Sequence, residues 1–302
     1  MGLLENKVVA VTGAGRGIGR AIALDAARAG ANVVVADYGV GIDGSEPSSD
    51  VADAVVAEIE DRGGKAVAVA SDVGTMTGGA AVVDAAVEMW GRIDGAVCVA
   101  GILRERMLFN MAEDEFDDVI RVHLKGTFTV FRAASAIMRK QDGGGSLIAF
   151  TSGIWALGSV SQANYAAAKG GIVSLSYSAA VGLDRYGVRA NVIAPVARTR
   201  MSANVPTQLA ENGDPEDISP MAVYLLSDEA ASITGQVYTV VGNRIGVWSQ
   251  PAEQRSMTSD KRWTPEQIAA ELPNSIGIER LPMLDRIDEM RSAAASTERP
   301  NA

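Results

Sequence analysis

The sequence predicts one α/β domain, a doubly wound parallel sheet of about seven strands, followed by a C-terminal extension. Short apolar runs rich in β-branched residues alternate with alanine-rich stretches of helical length over residues 1–247. Strands that are apolar along nearly their whole length are typical of a parallel sheet with helices on both faces. The composition turns polar after Trp248, and we assign residues 248–302 to the extension.

The candidate strands and helices alternate along the whole of the predicted domain. Strands are predicted at residues 7–12, 32–36, 66–70, 95–99, 146–151, 189–193 and 236–241. Helices are predicted at residues 18–29, 49–62, 76–90, 113–140, 165–186 and 215–226. This order is typical of consecutive βαβ units.

Two segments depart from the alternation. Residues 38–49 are rich in Gly, Ser, Pro and Asp, which predicts a long loop after the second strand. In the extension, Thr264 is expected to cap a helix that has Pro265 in its first position. We therefore expect a partly helical extension, with a weakly hydrophobic, mobile tail from about Asp285.

The charge and the composition exclude several functions. A formal net charge of −10 opposes binding to nucleic acids and anionic membranes, since both require a positive surface. No apolar run reaches the roughly 18 to 20 residues of a membrane span, and no signal-peptide pattern opens the chain. The single cysteine, Cys98, lies in an apolar run. We expect it to be buried, in a protein of the reducing cytoplasm, and we predict no metal site.

The turn after the first strand has the sequence of a dinucleotide-binding turn. It reads TGAGRGIG over residues 12–19, between a predicted strand and a predicted helix. Glycines let the backbone approach a pyrophosphate, and the helix N-terminus offers free N–H groups and a partial positive charge. A plain flexible turn is the alternative. The residues predicted to bind the cofactor here are Gly13, Arg16, Gly17, Ile18 and Gly19.

Asp37 stands at the end of the second predicted strand, 18 residues after Gly19. A carboxylate there accepts hydrogen bonds from the cofactor ribose and repels the additional phosphate of NADP. Arg16 is an opposing signal, because a guanidinium pairs well with that phosphate. The sequence favours NAD over NADP, and a simple turn residue is the alternative for Asp37.

The most specific signal is catalytic. A predicted strand ends in FTS at residues 150–152, and YAAAK follows at residues 165–169. Tyr165 and Lys169 are four residues apart and share one helix face. We expect the Lys169 ammonium to lower the pKa of the Tyr165 phenol from its usual value of about 10, which makes the phenol a proton shuttle. Ser152 is expected to donate a hydrogen bond to the substrate oxygen. An exposed helix pair is the alternative.

With the TGxxxGxG turn and the YxxxK pair in this order, the chain resembles the short-chain dehydrogenase/reductase family over residues 5–245. The resemblance implies a single-domain Rossmann-like fold, an oxidoreductase acting on CH–OH groups, and a homotetramer or dimer. It implies that Ser152, Tyr165 and Lys169 are catalytic. It also places Tyr165 and Lys169 among the cofactor contacts, with the lysine on the nicotinamide ribose.

The same resemblance implies further cofactor contacts. Asp72 and Val73 match the Asp-Val pair that lies beside the adenine ring in the family. Thr199, after Pro195, matches the threonine that binds the nicotinamide carboxamide.

The chain departs from the family pattern at three places. CVAG replaces the usual NNAG, so Ala100 and Gly101 are expected to keep their backbone role without the asparagine side chain. His123, in the stretch VHLKG, replaces the asparagine of the catalytic tetrad. A neutral imidazole can hold a water molecule in the proton relay, and the alternative is a helix residue that only fills space. Pro195-Val196 replaces a proline-glycine step.

Within the family, the chain is similar to the (3R)-hydroxyacyl-CoA dehydrogenase part of the multifunctional β-oxidation enzymes and their bacterial relatives. The similarity lies in the long loop after Asp37, the VHLKG stretch and residues 191–201 and 240–248. It implies a small-molecule alcohol or ketone substrate of the 3-hydroxyacyl-CoA type.

The sequence defines the substrate pocket less closely than the catalytic and cofactor-binding residues. Few residues separate Thr199 from Pro215, where the family builds its substrate lid, so we expect an open pocket. Two alternatives remain, because function is decided in the pocket and not by the fold. One is oxidation of a steroid or terpenoid alcohol, and the other is a non-catalytic regulator that senses NAD.

Overall fold

The computed structural model describes residues 2–41, 47–199, 213–277 and 279–297. The chain divides into two units, Met1–Trp248 and Ser249–Ala302. Most of the predicted substrate lid (residues 200–212) and part of the predicted long loop (residues 42–46) lie outside the described residues.

Within its described residues, the first unit contains one eight-stranded sheet. The strands are β1 (Val8–Thr12), β2 (Asn32–Ala36), β3 (Lys65–Val69), β4 (Gly95–Cys98), β5 (Gly145–Phe150), β6 (Val188–Val196), β7 (Val237–Val241) and β8 (Arg244–Val247). They lie in the order β3-β2-β1-β4-β5-β6-β7-β8. Neighbours from β3 to β7 pair in parallel, which confirms the predicted doubly wound parallel sheet.

The eighth strand was not predicted. It pairs antiparallel with β7, and Val241 lies opposite Arg244, so only two residues form the turn between the strands. Gly242 in this turn has φ = 51°, a left-handed conformation that glycine adopts without strain. The turn is so short that β7 and β8 resemble one continuous segment in the sequence.

Helices cover both faces of the sheet. The helices of this unit are α1 (Gly17–Arg28), α2 (Asp50–Asp61), α3 (Met76–Trp90), α4 (Glu113–Val119), α5 (Gly126–Met138), α6 (Ile154–Leu157), α7 (Ala163–Leu183) and α8 (Pro215–Leu226). The apolar core on one face includes residues of α1, α2 and α8, and the core on the other face includes residues of α3, α5 and α7. In β1, Val9 and Val11 contribute to the first core and Val8 and Ala10 to the second, as the alternation of a strand requires.

One predicted helix is interrupted, which corrects the expectation of a continuous helix over residues 113–140. Between α4 and α5 the chain forms a π-helical turn, Ile120–Lys125. Such turns insert extra backbone into a helix and occur often at functional sites. A hydrophobic period of 3.6 residues does not reveal this insertion. His123 lies inside the π-helical turn.

The order of the strands fixes where a ligand can bind. The chain winds outward from β1 in one direction through β2 and β3, and in the other direction from β4 onward. In open α/β sheets, ligands bind outside the carboxyl ends of the strands at this change of direction. The segments that follow β1 and β4 therefore border the expected crevice.

The second unit contains the predicted helix start. Helix α9 (Pro265–Glu271) begins after Thr264, whose Oγ1 accepts a hydrogen bond from the Gln267 backbone N at 3.3 Å. Gln267 Oε1 accepts a hydrogen bond from the Thr264 backbone N at 3.0 Å. This reciprocal pair is a capping box and confirms Thr264 as the N-cap.

The residues from Asp285 to Thr297 are helical, and the expected mobility of this tail stays a prediction. Helix α10 (Pro282–Thr297) spans this segment. Arg280 forms ion pairs with Asp285 at 2.8 Å and with Asp288 at 2.7 Å near the start of the helix, and alanines later in the segment favour helix. Among the described residues, no helix has the length and the apolar character to cross a membrane.

Candidate active site

The glycine turn is held between β1 and the end of β4. Thr12, the last residue of β1, is buried, and its Oγ1 accepts a hydrogen bond from the Val99 backbone N at 3.2 Å. Gly13 has φ = 65°, and a Cβ atom there would lie 2.8 Å from Ala100 Cα. A Cβ atom at Gly19 would overlap the Gly13 carbonyl oxygen. Both positions therefore require glycine.

This turn fits the pyrophosphate of a dinucleotide. Helix α1 begins at Gly17 directly after the turn, so the free N–H groups of its first turn face the same crevice. Arg16 and Gly17 are exposed, whereas Ile18 is partly buried. A Cβ atom at Gly17 would lie 3.8 Å from Thr199 Cγ2, so Thr199 borders the turn.

Asp37 directs its carboxylate at the glycine turn. Its Oδ2 accepts a hydrogen bond from the Gly15 backbone N at 2.8 Å, and its Oδ1 accepts one from the Gly39 backbone N at 2.7 Å. Each carboxylate oxygen keeps further acceptor capacity. The predicted ribose ligand and the predicted pyrophosphate site thus form one continuous surface.

Asp72 and Val73 lie beside the π-helical turn. Asp72 Oδ1 accepts a hydrogen bond from the Gly74 backbone N at 2.9 Å, and its Oδ2 forms an ion pair with Arg121 at 2.6 Å. The Val73 carbonyl accepts a hydrogen bond from Thr129 Oγ1 at 2.6 Å. Arg121 was not predicted, since nothing in the sequence links it to Asp72, which lies 49 residues earlier.

The three predicted catalytic side chains converge. Tyr165 and Lys169 lie one turn apart near the start of α7, and Lys169 Nζ is 5.3 Å from the centre of the Tyr165 ring. The Ser152 side chain lies near enough to Tyr165 to act on its pKa. Thr151 Oγ1 donates a hydrogen bond to the Lys169 carbonyl at 2.9 Å and ties the end of β5 to the helix.

Burial dominates the electrostatics of this group. It raises the pKa of Tyr165 to about 12, although the hydrogen bond from Ser152 lowers it in part. It lowers the pKa of Lys169 to about 7. The expected lowering of the tyrosine pKa by the lysine is therefore wrong for this arrangement. Lys169 Nζ donates a hydrogen bond to the Phe150 carbonyl at 2.7 Å, and the removal of the phenolate from water is the largest effect on the pKa of Tyr165.

His123 connects the catalytic tyrosine to the end of β4. Its ring lies edge-on to the Tyr165 ring with 5.1 Å between the centres. Its Nε2 is 2.8 Å from the Ile102 carbonyl oxygen, and a Cβ atom at Gly101 would overlap its Cε1. Contacts thus run without a gap from the glycine turn through Ala100 and Gly101 to Tyr165.

His123 is neutral in this setting. Its side chain is 2% exposed, and burial, with the nearby charge of Lys169, holds its pKa well below the usual range. Nδ1 is buried and has no hydrogen-bond partner among the described residues. An unpaired acceptor of this kind is what a water molecule in a proton relay would use.

Most of the predicted site residues lie close together. The turn residues, Asp37, Ala100, Gly101, His123 and the catalytic three form one contiguous region. Thr199 follows β6 and is half-buried at the edge of the turn, and Pro195 is half-buried within β6. Arg16 is exposed and forms no ion pair with any residue that the structure describes.

Lys169→Met tests the burial of the lysine through the pH dependence of stability. Because the pKa of Lys169 falls from 10.5 to about 7 on folding, the unfolded chain binds more protons than the folded chain between these values. The folded protein therefore gains stability as the pH rises through this window. Across this pH window, we expect the free energy of unfolding to rise by about 2–4 kcal/mol more for the wild type than for Lys169→Met. Urea unfolding at a series of pH values measures it. The exposed Lys140→Met is the control, and parallel curves for all three proteins would contradict the burial.

The chain is similar to several known proteins. A family profile described as enoyl-(acyl carrier protein) reductase matches residues 13–242. The hydroxyacyl-CoA dehydrogenase ChsB1 of Mycobacterium tuberculosis is 43% identical over 284 residues, which cover 89% of this chain and 88% of that protein. A crystal structure of a short chain dehydrogenase from Mycobacterium avium has a TM-score of 0.83 and 42% identity, covering 92% of this chain and 97% of that one.

A further relative matches over only part of its own length. The peroxisomal hydratase-dehydrogenase-epimerase of Saccharomyces cerevisiae is 38% identical over 267 residues, which cover 87% of this chain and 29% of that protein. The chain is an oxidoreductase that acts on CH–OH groups with a nicotinamide cofactor. It belongs to the short-chain dehydrogenase/reductase family.

Proposed function

We propose that the chain oxidises a secondary alcohol of the 3-hydroxyacyl-CoA type to the ketone, with NAD as the acceptor. The proposal depends on one observation. Ser152, Tyr165 and Lys169 lie close together, and consecutive residue contacts connect them with the glycine turn. Two relatives are named for a hydroxyacyl-CoA dehydrogenase and for a hydratase-dehydrogenase-epimerase, which supports this substrate class.

Each of the three side chains has a distinct role in this proposal. Ser152 holds the substrate hydroxyl by a hydrogen bond. The Tyr165 phenol, which is protonated at neutral pH, passes its own proton toward Lys169 as its oxygen takes the proton of the hydroxyl. The nicotinamide, when bound, accepts the hydride from the carbinol carbon. Lys169, with its pKa of about 7, gains and loses a proton near neutrality beside the phenol. Its neutral amine therefore receives the proton that the Tyr165 phenol passes on.

We assign His123 to the proton relay as well. Its free Nδ1 accepts a hydrogen bond from a water molecule, while Nε2 is engaged by the backbone of Ile102.

The cofactor contacts are proposed residue by residue. The pyrophosphate would be held by Gly13, Arg16, Gly17, Ile18 and Gly19, at the start of α1, where the first N–H groups have no partner within the helix. The remaining contacts are Asp37 at the adenosine ribose, Asp72 and Val73 at the adenine, and Ala100, Gly101, Tyr165, Lys169, Pro195 and Thr199 toward the nicotinamide.

Asp37→Asn tests the preference for NAD. The carboxylate faces the turn, where it repels the additional phosphate of NADP, and like charges brought together cost several kcal/mol. Asparagine keeps one acceptor oxygen but removes the charge. We expect the ratio of NADP to NAD dissociation constants to fall by about tenfold or more, measured by calorimetry. The control is Asp53→Asn on the exposed face of α2, and an unchanged ratio in Asp37→Asn would contradict the assignment.

A substrate panel separates the proposed function from its alternatives. NADH formation is followed with 3-hydroxyacyl-CoAs, hydroxysteroids and cyclic terpene alcohols, and Tyr165→Phe serves as the blank. The proposal expects turnover with the 3-hydroxyacyl-CoAs. Turnover only with a steroid or terpene alcohol would replace the substrate class. NAD binding without turnover of any alcohol would favour the NAD-sensing regulator, which the intact Ser152, Tyr165 and Lys169 argue against.

We also propose that residues 1–247 act as the catalytic domain of a cytoplasmic homo-oligomer, a tetramer or a dimer. Phe128 on α5 is 42% exposed and Val181 on α7 is 83% exposed, and apolar side chains of this kind favour contact with a second copy. The extension, residues 248–302, has no assigned role. Sedimentation velocity tests the assembly, and a monomer at all concentrations would contradict it.

A further inference from the structure

Asn164, the residue before the catalytic tyrosine, is a buried amide with every polar atom engaged. Asn164 is 1% exposed. Oδ1 accepts a hydrogen bond from the Tyr165 backbone N at 2.8 Å. Nδ2 donates to the Arg104 carbonyl at 2.9 Å and to the Glu115 carbonyl at 2.8 Å.

These three bonds join separate parts of the chain. Tyr165 N belongs to the first turn of α7, where backbone N–H groups have no partner within the helix. Arg104 lies in the segment after β4, and Glu115 lies in the first turn of α4. One side chain thus fixes the backbone of the tyrosine against two elements that border the crevice.

The other hydrogen bonds and ion pairs near this boundary are more exposed. Arg106 N donates to the Ser161 carbonyl at 2.8 Å, and Glu105 is hydrogen-bonded to Gln162. Arg106 pairs with Glu115 at 2.8 Å, but its side chain is 54% exposed. Exposed ion pairs contribute little to rigidity or stability. The Asn164 amide is therefore the buried polar contact of this junction, next to the apolar cluster of Ile102, Val119 and Ala168.

We propose that Asn164 is a positioning residue, which holds the Tyr165 phenol within reach of Ser152 by anchoring the start of α7 to the segments at Arg104 and Glu115. The proposal rests on the proposed function for the role of Tyr165. It matters for catalysis because a displacement of about 1 Å in a reacting group can cost about 100-fold in rate.

Two variants divide the three bonds. Asn164→Leu has a similar size and removes all of them. Asn164→Asp keeps the acceptor for Tyr165 N, but it removes both donors and turns a carboxylate toward the Arg104 and Glu115 carbonyls. Asn191→Leu is the matched control, because Asn191 is a fully buried amide on β6 that bonds the Ile233 carbonyl at 2.8 Å and the Gln236 backbone N at 3.0 Å.

Amide hydrogen exchange tests the anchoring without reference to turnover. We expect the Tyr165 amide to exchange about tenfold faster or more in Asn164→Leu and to stay protected in Asn164→Asp. In both variants the segment after Arg104 should exchange faster. In Asn191→Leu both regions should match the wild type. Unchanged exchange at Tyr165 in Asn164→Leu would overturn the proposal.

Kinetics with an alcohol that the wild type oxidises tests the consequence. We expect both variants to lower kcat about 10- to 100-fold, with KM and the cofactor dissociation constant changed less than about threefold. Asn164→Asp should recover toward the wild type as the pH falls, because a protonated carboxyl donates one hydrogen bond. A kcat equal to that of Asn191→Leu would overturn the positioning role. A wild type that oxidises no alcohol would instead refute the proposed function, while the exchange data would still decide the anchoring.

Discussion

Tyr165→Phe is expected to lower the rate of alcohol oxidation by about 10³-fold or more, while the cofactor still binds. The substitution removes one oxygen and keeps the ring. The edge-on contact with His123 and the position of Lys169 over the ring therefore persist. Only the acceptor for the substrate proton and the partner of Ser152 are lost. The reaction is measured as single-turnover NADH formation, and cofactor binding by fluorescence.

The control for this variant is Tyr177→Phe. Tyr177 lies on the same helix, α7, and is partly buried, so the change removes the same oxygen at a distance from Ser152. We expect its rate to stay within about twofold of the wild type. If Tyr165→Phe kept comparable activity, the assignment of the proton acceptor would be wrong.

Gly19→Ala is expected to weaken cofactor binding by about 100-fold or more and to destabilise the fold. The added Cβ atom would overlap the Gly13 carbonyl oxygen, which belongs to the backbone and cannot rotate away. Either α1 or the turn must then move. Because the first turn of α1 supplies the N–H groups for the pyrophosphate, both displacements disturb the anion site. Shifts of backbone by overpacking typically cost about 1–3 kcal/mol. Calorimetric titration with NAD and thermal unfolding measure the two effects.

Gly182→Ala is the matched control. Gly182 lies in the last turn of α7, and nothing lies within 4 Å of the added atom. Alanine favours helix over glycine, so this variant should be more stable than the wild type by about 0.5–1 kcal/mol, with unchanged NAD affinity. Normal NAD affinity in Gly19→Ala would contradict the placement of the pyrophosphate at this turn.

Much of the fold follows from local patterns. Continuous apolar strands alternate with helices along the sequence. The parallel pairing of strands β1 to β7 follows from that alternation. The π-helical turn at Ile120–Lys125 does not, because one inserted turn leaves the hydrophobic pattern of a long helix nearly intact. Helix α10 was not predicted either, because its sequence has a weak hydrophobic pattern and the ion pair of Arg280 with Asp288 forms only in the folded chain.

The sequence predicts those site residues whose spacing within one motif fixes their relative positions. The spacing of Tyr165 and Lys169 places both on one face of α7, and the glycine turn follows β1 directly. The pKa of Tyr165 was not predictable, because it depends on how completely the fold removes the phenol from water. Arg121 and Asn164 act on residues brought close only by the fold, so their spacing in the sequence gives no signal.

The central claim is that hydride leaves a carbinol carbon held by Ser152 and Tyr165. It is tested most directly with an alcohol from the panel that carries deuterium on that carbon, together with NAD and the wild-type protein. The account predicts that the deuterium appears in the reduced nicotinamide, detected by mass spectrometry, and that Tyr165→Phe forms almost none. Reduced cofactor without deuterium, or equal transfer by Tyr165→Phe, would contradict it.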